Sequence, residues 1–202
     1  MDQFLRNKNL KGNIDNNSKL IREDETLLLI LDMQEKLINN IKSNQLLIFN
    51  IKKLIDTCNL LNVRIAITEQ NPLKLGKTLD SILERKEYPI YEKMEFSCSK
   101  NKSFIDYLKK YNFKNIIVCG IESHICILQT SIELLERSLN ILIPRDAIGS
   151  RKEIDNETAF LRLILSGAIP CTTESIICEL CKTSSRKEFK EISKILKNSF
   201  PN

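Results

Sequence analysis

Short runs of aliphatic and β-branched residues, uninterrupted by polar ones, recur along this chain, each followed by a longer stretch with helical spacing. Leu27–Leu31 and Ile116–Val118 do not alternate apolar with polar, so both faces of each strand must be covered. That requirement is met by helices packed on both sides of a parallel sheet. Six strands are predicted, at Leu27–Leu31, Val63–Thr68, Ile90–Glu92, Asn115–Cys119, Ile141–Ile143 and Ala168–Cys171. Helical segments fall near Gln45–Leu61, Lys100–Tyr111, Ser123–Ser138 and Asn156–Gly167, with apolar residues recurring at three and four. The expected fold is α/β, a doubly wound and mostly parallel six-stranded sheet with helices on both faces.

Composition narrows the alternatives. A chain of 202 residues most often forms one domain, and 42% hydrophobic with 28% charged residues excludes disorder throughout. Five Gly and five Pro are too few for a sandwich built from many tight turns. Residues 1–24 are polar and without apolar period, and read as an N-terminal arm; residues 25–202 read as the domain. Its tail holds a short helix over Thr172–Leu180 and a basic amphipathic one over Lys187–Leu196, a surface helix packing on the domain or on a partner subunit. The apolar run Thr26–Leu31 is far shorter than the ~20 residues of a membrane span or a signal sequence's core, so no membrane partner and a cytoplasmic location are expected. Thirty-one Lys and Arg against 26 Asp and Glu leave +5, but the signs are interleaved, as in Lys93-Met94-Glu95, and no nucleic-acid partner is expected. Seven Cys with a single His, His124, do not make a Cys2His2 site, and the thiols read as free.

In an open parallel sheet the ligand crevice lies beyond the carboxyl ends of the strands. The first strand ends Leu31-Asp32-Met33-Gln34, placing a carboxylate where partial desolvation would suit it to act as a base; capping of the next helix is the alternative. The second ends Thr68-Glu69-Gln70-Asn71-Pro72. The third ends in Lys93, which by itself is only a solvated charge. The fourth runs through Cys119-Gly120-Ile121-Glu122-Ser123-His124-Ile125-Cys126 into a helix. With Ser123 as N-cap, Cys126 falls at about the third helical position, where the helix dipole and free N–H groups favour thiolate. A buried, inert Cys is the alternative. Together, three strand exits would bring an acid, an ammonium and a thiol to one crevice, a combination suited to nucleophilic catalysis.

These motifs resemble the isochorismatase-like cysteine hydrolases, and most of all the isochorismatase domain-containing subgroup. The resemblance runs from Thr26 to the C-terminal helix, through Leu31-Asp32-Met33-Gln34, Thr68-Glu69-Gln70-Asn71-Pro72, Leu75-Gly76-Lys77-Thr78, Lys93-Met94-Glu95-Phe96-Ser97-Cys98, Gly120 to Cys126, Asp146-Ala147, Ser150-Arg151 and Thr172-Thr173-Glu174-Ser175. It implies a triad of Asp32 as base, Lys93 as electrostatic partner and Cys126 as nucleophile. It also implies a cis peptide at Ile121-Glu122 that aims the Glu122 and Cys126 N–H groups at an oxyanion, and a homo-oligomer. Gln70 matches a position that contacts substrate in some relatives; Gln34 and Phe96 are further candidates for substrate contact. Nicotinamidases, which resemble this chain in the triad, add an Asp and two His that bind metal. With one His that site cannot be built, so no metal and no cofactor are expected. Relatives that cleave isochorismate lack the nucleophilic Cys. The function this implies is hydrolysis of a small amide or carbamoyl substrate through a thioester. A binding or scaffold protein that keeps the fold, and a thiol redox sensor, are the alternatives. His124 is expected to pack or line the pocket, and Cys178-x-x-Cys181 to be structural or exposed thiols.

Overall fold

A computed structural model describes residues 20–42, 44–83 and 87–200. Seven strands form the sheet: β1 (Thr26–Leu31), β2 (Arg64–Gln70), β3 (Ile90–Lys93), β4 (Asn115–Ile121), β5 (Asn140–Pro144), β6 (Ile148–Gly149) and β7 (Ile169–Cys171). Their order is β3-β2-β1-β4-β5-β7, with β6 paired to β4, and every ladder is parallel. The expected architecture holds, with the two-residue β6 added; a strand that short leaves no pattern to read. The helices are α1 (Glu35–Ile38), α2 (Asn44–Leu60), α3 (Pro72–Leu75), α4 (Asp80–Leu83), α5 (Lys102–Tyr111), α6 (Leu128–Leu135), α7 (Glu153–Leu165), α8 (Thr173–Cys181) and α9 (Phe189–Lys197).

The two-unit side-chain period splits β1 between two cores. Leu28 and Ile30 join Ile51, Leu54, Ile177 and Ile192 beneath α2, α8 and α9. Leu27, Leu29 and Leu31 point the other way, to Phe104, Leu134 and Leu163 of α5, α6 and α7. All six residues of β1 are buried, which is why the run is apolar without alternation. Each fully buried Leu or Ile stabilises the fold by roughly 1.5–3 kcal/mol. Local signals agree with this packing: Asn101 caps α5 by accepting from Phe104 N, and Thr172 and Ser175 form a capping box at α8.

The end of the predicted arm belongs to the domain. Ile21 is buried and its N–H donates to Glu179, while Glu23 pairs with Arg186 at 2.6 Å. Residues 1–19 of that arm lie outside the described residues. Among the described residues no helix is long and apolar enough to cross a membrane.

Candidate active site

Strand register assembles the site. Leu31 lies opposite Thr68 on one side and Gly120 on the other, so Asp32 emerges between the exits of β2 and β4. Gln70 lies opposite Lys93. The β1 and β4 backbones approach so closely that a Cβ on Gly120, at φ 127°, would stand 2.2 Å from the Leu31 carbonyl oxygen. Only glycine fits there.

Both exits then turn through the left-handed region, Asp32 at φ 57° and Glu122 at φ 55°. Non-glycine residues adopt this conformation at a cost of order 1–3 kcal/mol, and such residues cluster at functional sites. The cis bond expected at Ile121-Glu122 is corrected: among the described residues no peptide is cis, and Gly120 and Glu122 make the reversal with positive φ instead. The helix entrance also differs. Glu122 is the N-cap residue, Ser123–Ile127 forms a π-helical turn ahead of α6, and Cys126 is its fourth residue. Ser123 does not cap; its hydroxyl bonds Ser150 and Asn156.

The structure brings Asp32, Lys93 and Cys126 together. Lys93 Nζ donates to Asp32 Oδ2 at 2.7 Å, and both side chains are almost wholly buried. Thr68 Oγ1 donates to the other oxygen, Oδ1, at 2.7 Å. Each carboxylate oxygen therefore has its own donor. The Cys126 thiol lies within the electrostatic reach of both members of the pair. It is nearly enclosed, with 5% of the residue exposed, so any approach to sulfur is narrow. Burial pushes the thiol well above its ordinary value, and the Asp32 carboxylate adds to that, outweighing the Lys93 ammonium. Burial thus works against the thiolate expected from the helix terminus.

The sequence-nominated substrate contacts fare unevenly. Gln34 is fully buried, and its amide is spent on the backbone: Oε1 accepts from Gln70 N at 2.8 Å, and Nε2 donates to Gln70 O at 3.1 Å and to Gly76 O. Gln34 is therefore not placed to meet a ligand, and the expectation is corrected. Gln70 also has both amide atoms engaged, Oε1 accepting from Lys93 Nζ at 2.7 Å and Nε2 donating to Met94 O at 2.8 Å. Phe96 is exposed beyond β3. Thr68 was not singled out, since a Thr in a strand reads as strand propensity; the β1–β2 register is the signal that points to it.

Behind the Cys126 turn, Glu122 Oε1 accepts from Arg151 Nε at 2.7 Å, and its other oxygen faces His124 Nδ1 at 3.4 Å. His124 also contacts Ser150 and Asp155. A cavity of about 620 Å3 is lined by Leu47, Arg145, Ser150, Arg151 and Asn156, among others, but not by Asp32, Lys93 or Cys126. Cys98 is buried and pushed up to about 12 by that burial, Cys178 is exposed and Cys181 buried. Among the described residues no three His, Cys, Asp or Glu side chains cluster to hold a metal.

Residues 26–175 match the isochorismatase domain family model. The chain belongs to the isochorismatase family. It is 35% identical over 180 residues to isochorismatase family protein 1B of Dictyostelium discoideum, covering 86% of this chain and 87% of that one. Isochorismatase domain-containing protein 2 of Danio rerio is 33% identical over 176 residues, 87% and 89% of the two chains. Among solved structures, one described as the MAR1 ribonuclease of Caenorhabditis elegans superposes with a TM-score of 0.85 at 37% identity, covering 91% of this chain and 95% of that one. A cysteine hydrolase of Pseudomonas syringae shares the fold, with a TM-score of 0.75 at 15% identity over 82% and 99%. Membership of the isochorismatase family supports a hydrolase role.

Proposed function

We propose that the protein is a cysteine-dependent hydrolase of a small amide or carbamoyl compound, working through a thioester on Cys126. The observation that carries this reading is the buried Asp32–Lys93 pair set against the Cys126 thiol at three strand exits. Because the thiol rests protonated, Asp32 takes its proton as sulfur attacks the carbonyl carbon, rather than meeting a preformed thiolate. Lys93 and Thr68 hold the carboxylate in place, and Lys93 balances the charge on sulfur. Backbone N–H groups of Glu122 and Cys126 receive the developing oxyanion. The C–N bond then breaks, Asp32 returns the proton to the departing amine, and Asp32 next deprotonates the water that cleaves the C–S bond and restores the thiol.

A homo-oligomer belongs to the same proposal. Ile154, Leu161 and Leu165 form an exposed apolar stripe on α7, whose other face packs behind the Cys126 turn, and the distant structural neighbour YcaC of Escherichia coli is described as an octameric hydrolase. Because the Caenorhabditis elegans neighbour is described as a ribonuclease, RNA is the informative comparison substrate. A panel of small amides, carbamoyl compounds and single-stranded RNA, run with wild type, Cys126→Ala and Cys126→Ser, tests the reading. It expects amide turnover by wild type and none by either variant. RNA cleavage without amide turnover, or amide turnover that survives both substitutions, overturns it.

A further inference from the structure

We propose that Gln70, locked by Gln34, is a positioning residue for Lys93, directing the ammonium onto Asp32 and the Cys126 sulfur. Lys93 Nζ has three N–H donors. One goes to Asp32 Oδ2 and one to Gln70 Oε1, both at 2.7 Å. The ammonium so placed favours ionisation of the neighbouring Cys126 thiol. The Gln70 amide cannot flip without penalty. Its Nε2 faces the Met94 carbonyl, so rotation would set oxygen against oxygen there and an NH2 against the ammonium.

The Gln70 backbone is held just as firmly, because Gln34 accepts from its N–H and donates to its carbonyl, as a neighbouring strand would. Gln34 has no solvent contact, and its donation to Gly76 fixes the loop beyond α3. A chain of contacts therefore runs from Gln34 through Gln70 to Lys93. The catalytic meaning of this arrangement rests on the hydrolase proposal, but its physical effect is present without substrate. Where Lys93 loses its guide, the ammonium supports the thiolate less and the thiol is harder to ionise.

The test is the rate at which iodoacetamide alkylates Cys126, followed by intact-protein and peptide mass spectrometry at fixed pH in the substrate-free full chain. Gln70→Met and Gln34→Met keep length and remove the hydrogen bonds. Each is expected to slow alkylation about three- to tenfold, the scale of up to one unit in thiol pKa tempered by nucleophilicity. The double variant should be no slower than the slower single, since both act on Lys93 through one chain. Circular dichroism and a melting curve accompany each variant, and should one fail to fold the other decides. Unchanged alkylation in a folded variant overturns the proposal, as does a double variant whose slowing is the product of the two singles. A glutamine that only binds substrate would raise KM and leave this rate untouched. Because no substrate is used, the outcome is separate from whether amides are hydrolysed.

Discussion

Replacing Lys93 by Met separates a pair kept for chemistry from one kept for stability. The Asp32 and Lys93 side chains are each 1% exposed and 2.7 Å apart, so neither charge is hydrated when the other is removed. In Lys93→Met the carboxylate keeps only the Thr68 hydroxyl as a fixed donor on one oxygen. Breaking a buried pair in this way costs about 3–5 kcal/mol, whereas an exposed pair is worth about 0–1. Asp32→Asn combined with Lys93→Met removes both charges, and Asn tolerates the left-handed backbone at φ 57°. The double variant should recover most of the loss or exceed wild type, because a buried pair replaced by neutral groups is often neutral or stabilising by about 1–4 kcal/mol. Urea unfolding followed by circular dichroism reads both. With a slope of about 1–3 kcal/mol/M, the single variant's midpoint should fall by roughly 2 M. A loss below about 1 kcal/mol in Lys93→Met, or a double variant as unstable as the single, refutes the reasoning. A pair that costs stability to keep is the mark of a functional site.

Three further outcomes follow from other parts of the fold. Gly120→Ala sets a methyl group 2.2 Å from the Leu31 carbonyl oxygen at a positive φ, and chemical denaturation should show a loss of about 2–6 kcal/mol from overpacking and backbone strain together. The Cys126 thiol, held up by burial, should react with iodoacetamide at a rate that still climbs above pH 9; a plateau near neutrality contradicts this. Glu23 is held below the usual carboxylate range chiefly by its hydrogen bond from Arg186. Its contribution is therefore present above the ordinary Glu value and lost as pH falls through the depressed one. Melting curves should show Glu23→Gln less stable than wild type at pH 7 and the difference vanishing in acid.

The sheet was legible because burial on both faces forces continuous apolar runs, and β1 and β4 carry them. The meeting of Asp32, Lys93 and Cys126 in space was legible because an α/β fold places strand exits around one crevice; their joint role in catalysis is the proposal made above. Other features leave no periodic trace. The π-helical turn at Ser123–Ile127, the left-handed Glu122 and the two-residue β6 are set by tertiary contacts, among them Ser123 with Ser150 and Asn156. Gln34 misled for a physical reason. A polar residue at a strand exit reads as solvent- or ligand-facing, yet here it satisfies the backbone of a neighbouring exit. The upward push on the Cys126 thiol also escaped sequence reading, because it depends on how completely the site excludes water. The helix terminus that favours thiolate is visible in the residues, while the burial that opposes it exists only once the chain is folded.

The most direct measurement is intact-protein mass spectrometry after rapid acid quench of the protein mixed with a hydrolysable small amide. The account predicts an acyl adduct that maps to Cys126, forms before product accumulates and is absent from Cys126→Ala. Turnover without any adduct, or an adduct on Cys178 or another thiol while Cys126 stays free, contradicts it.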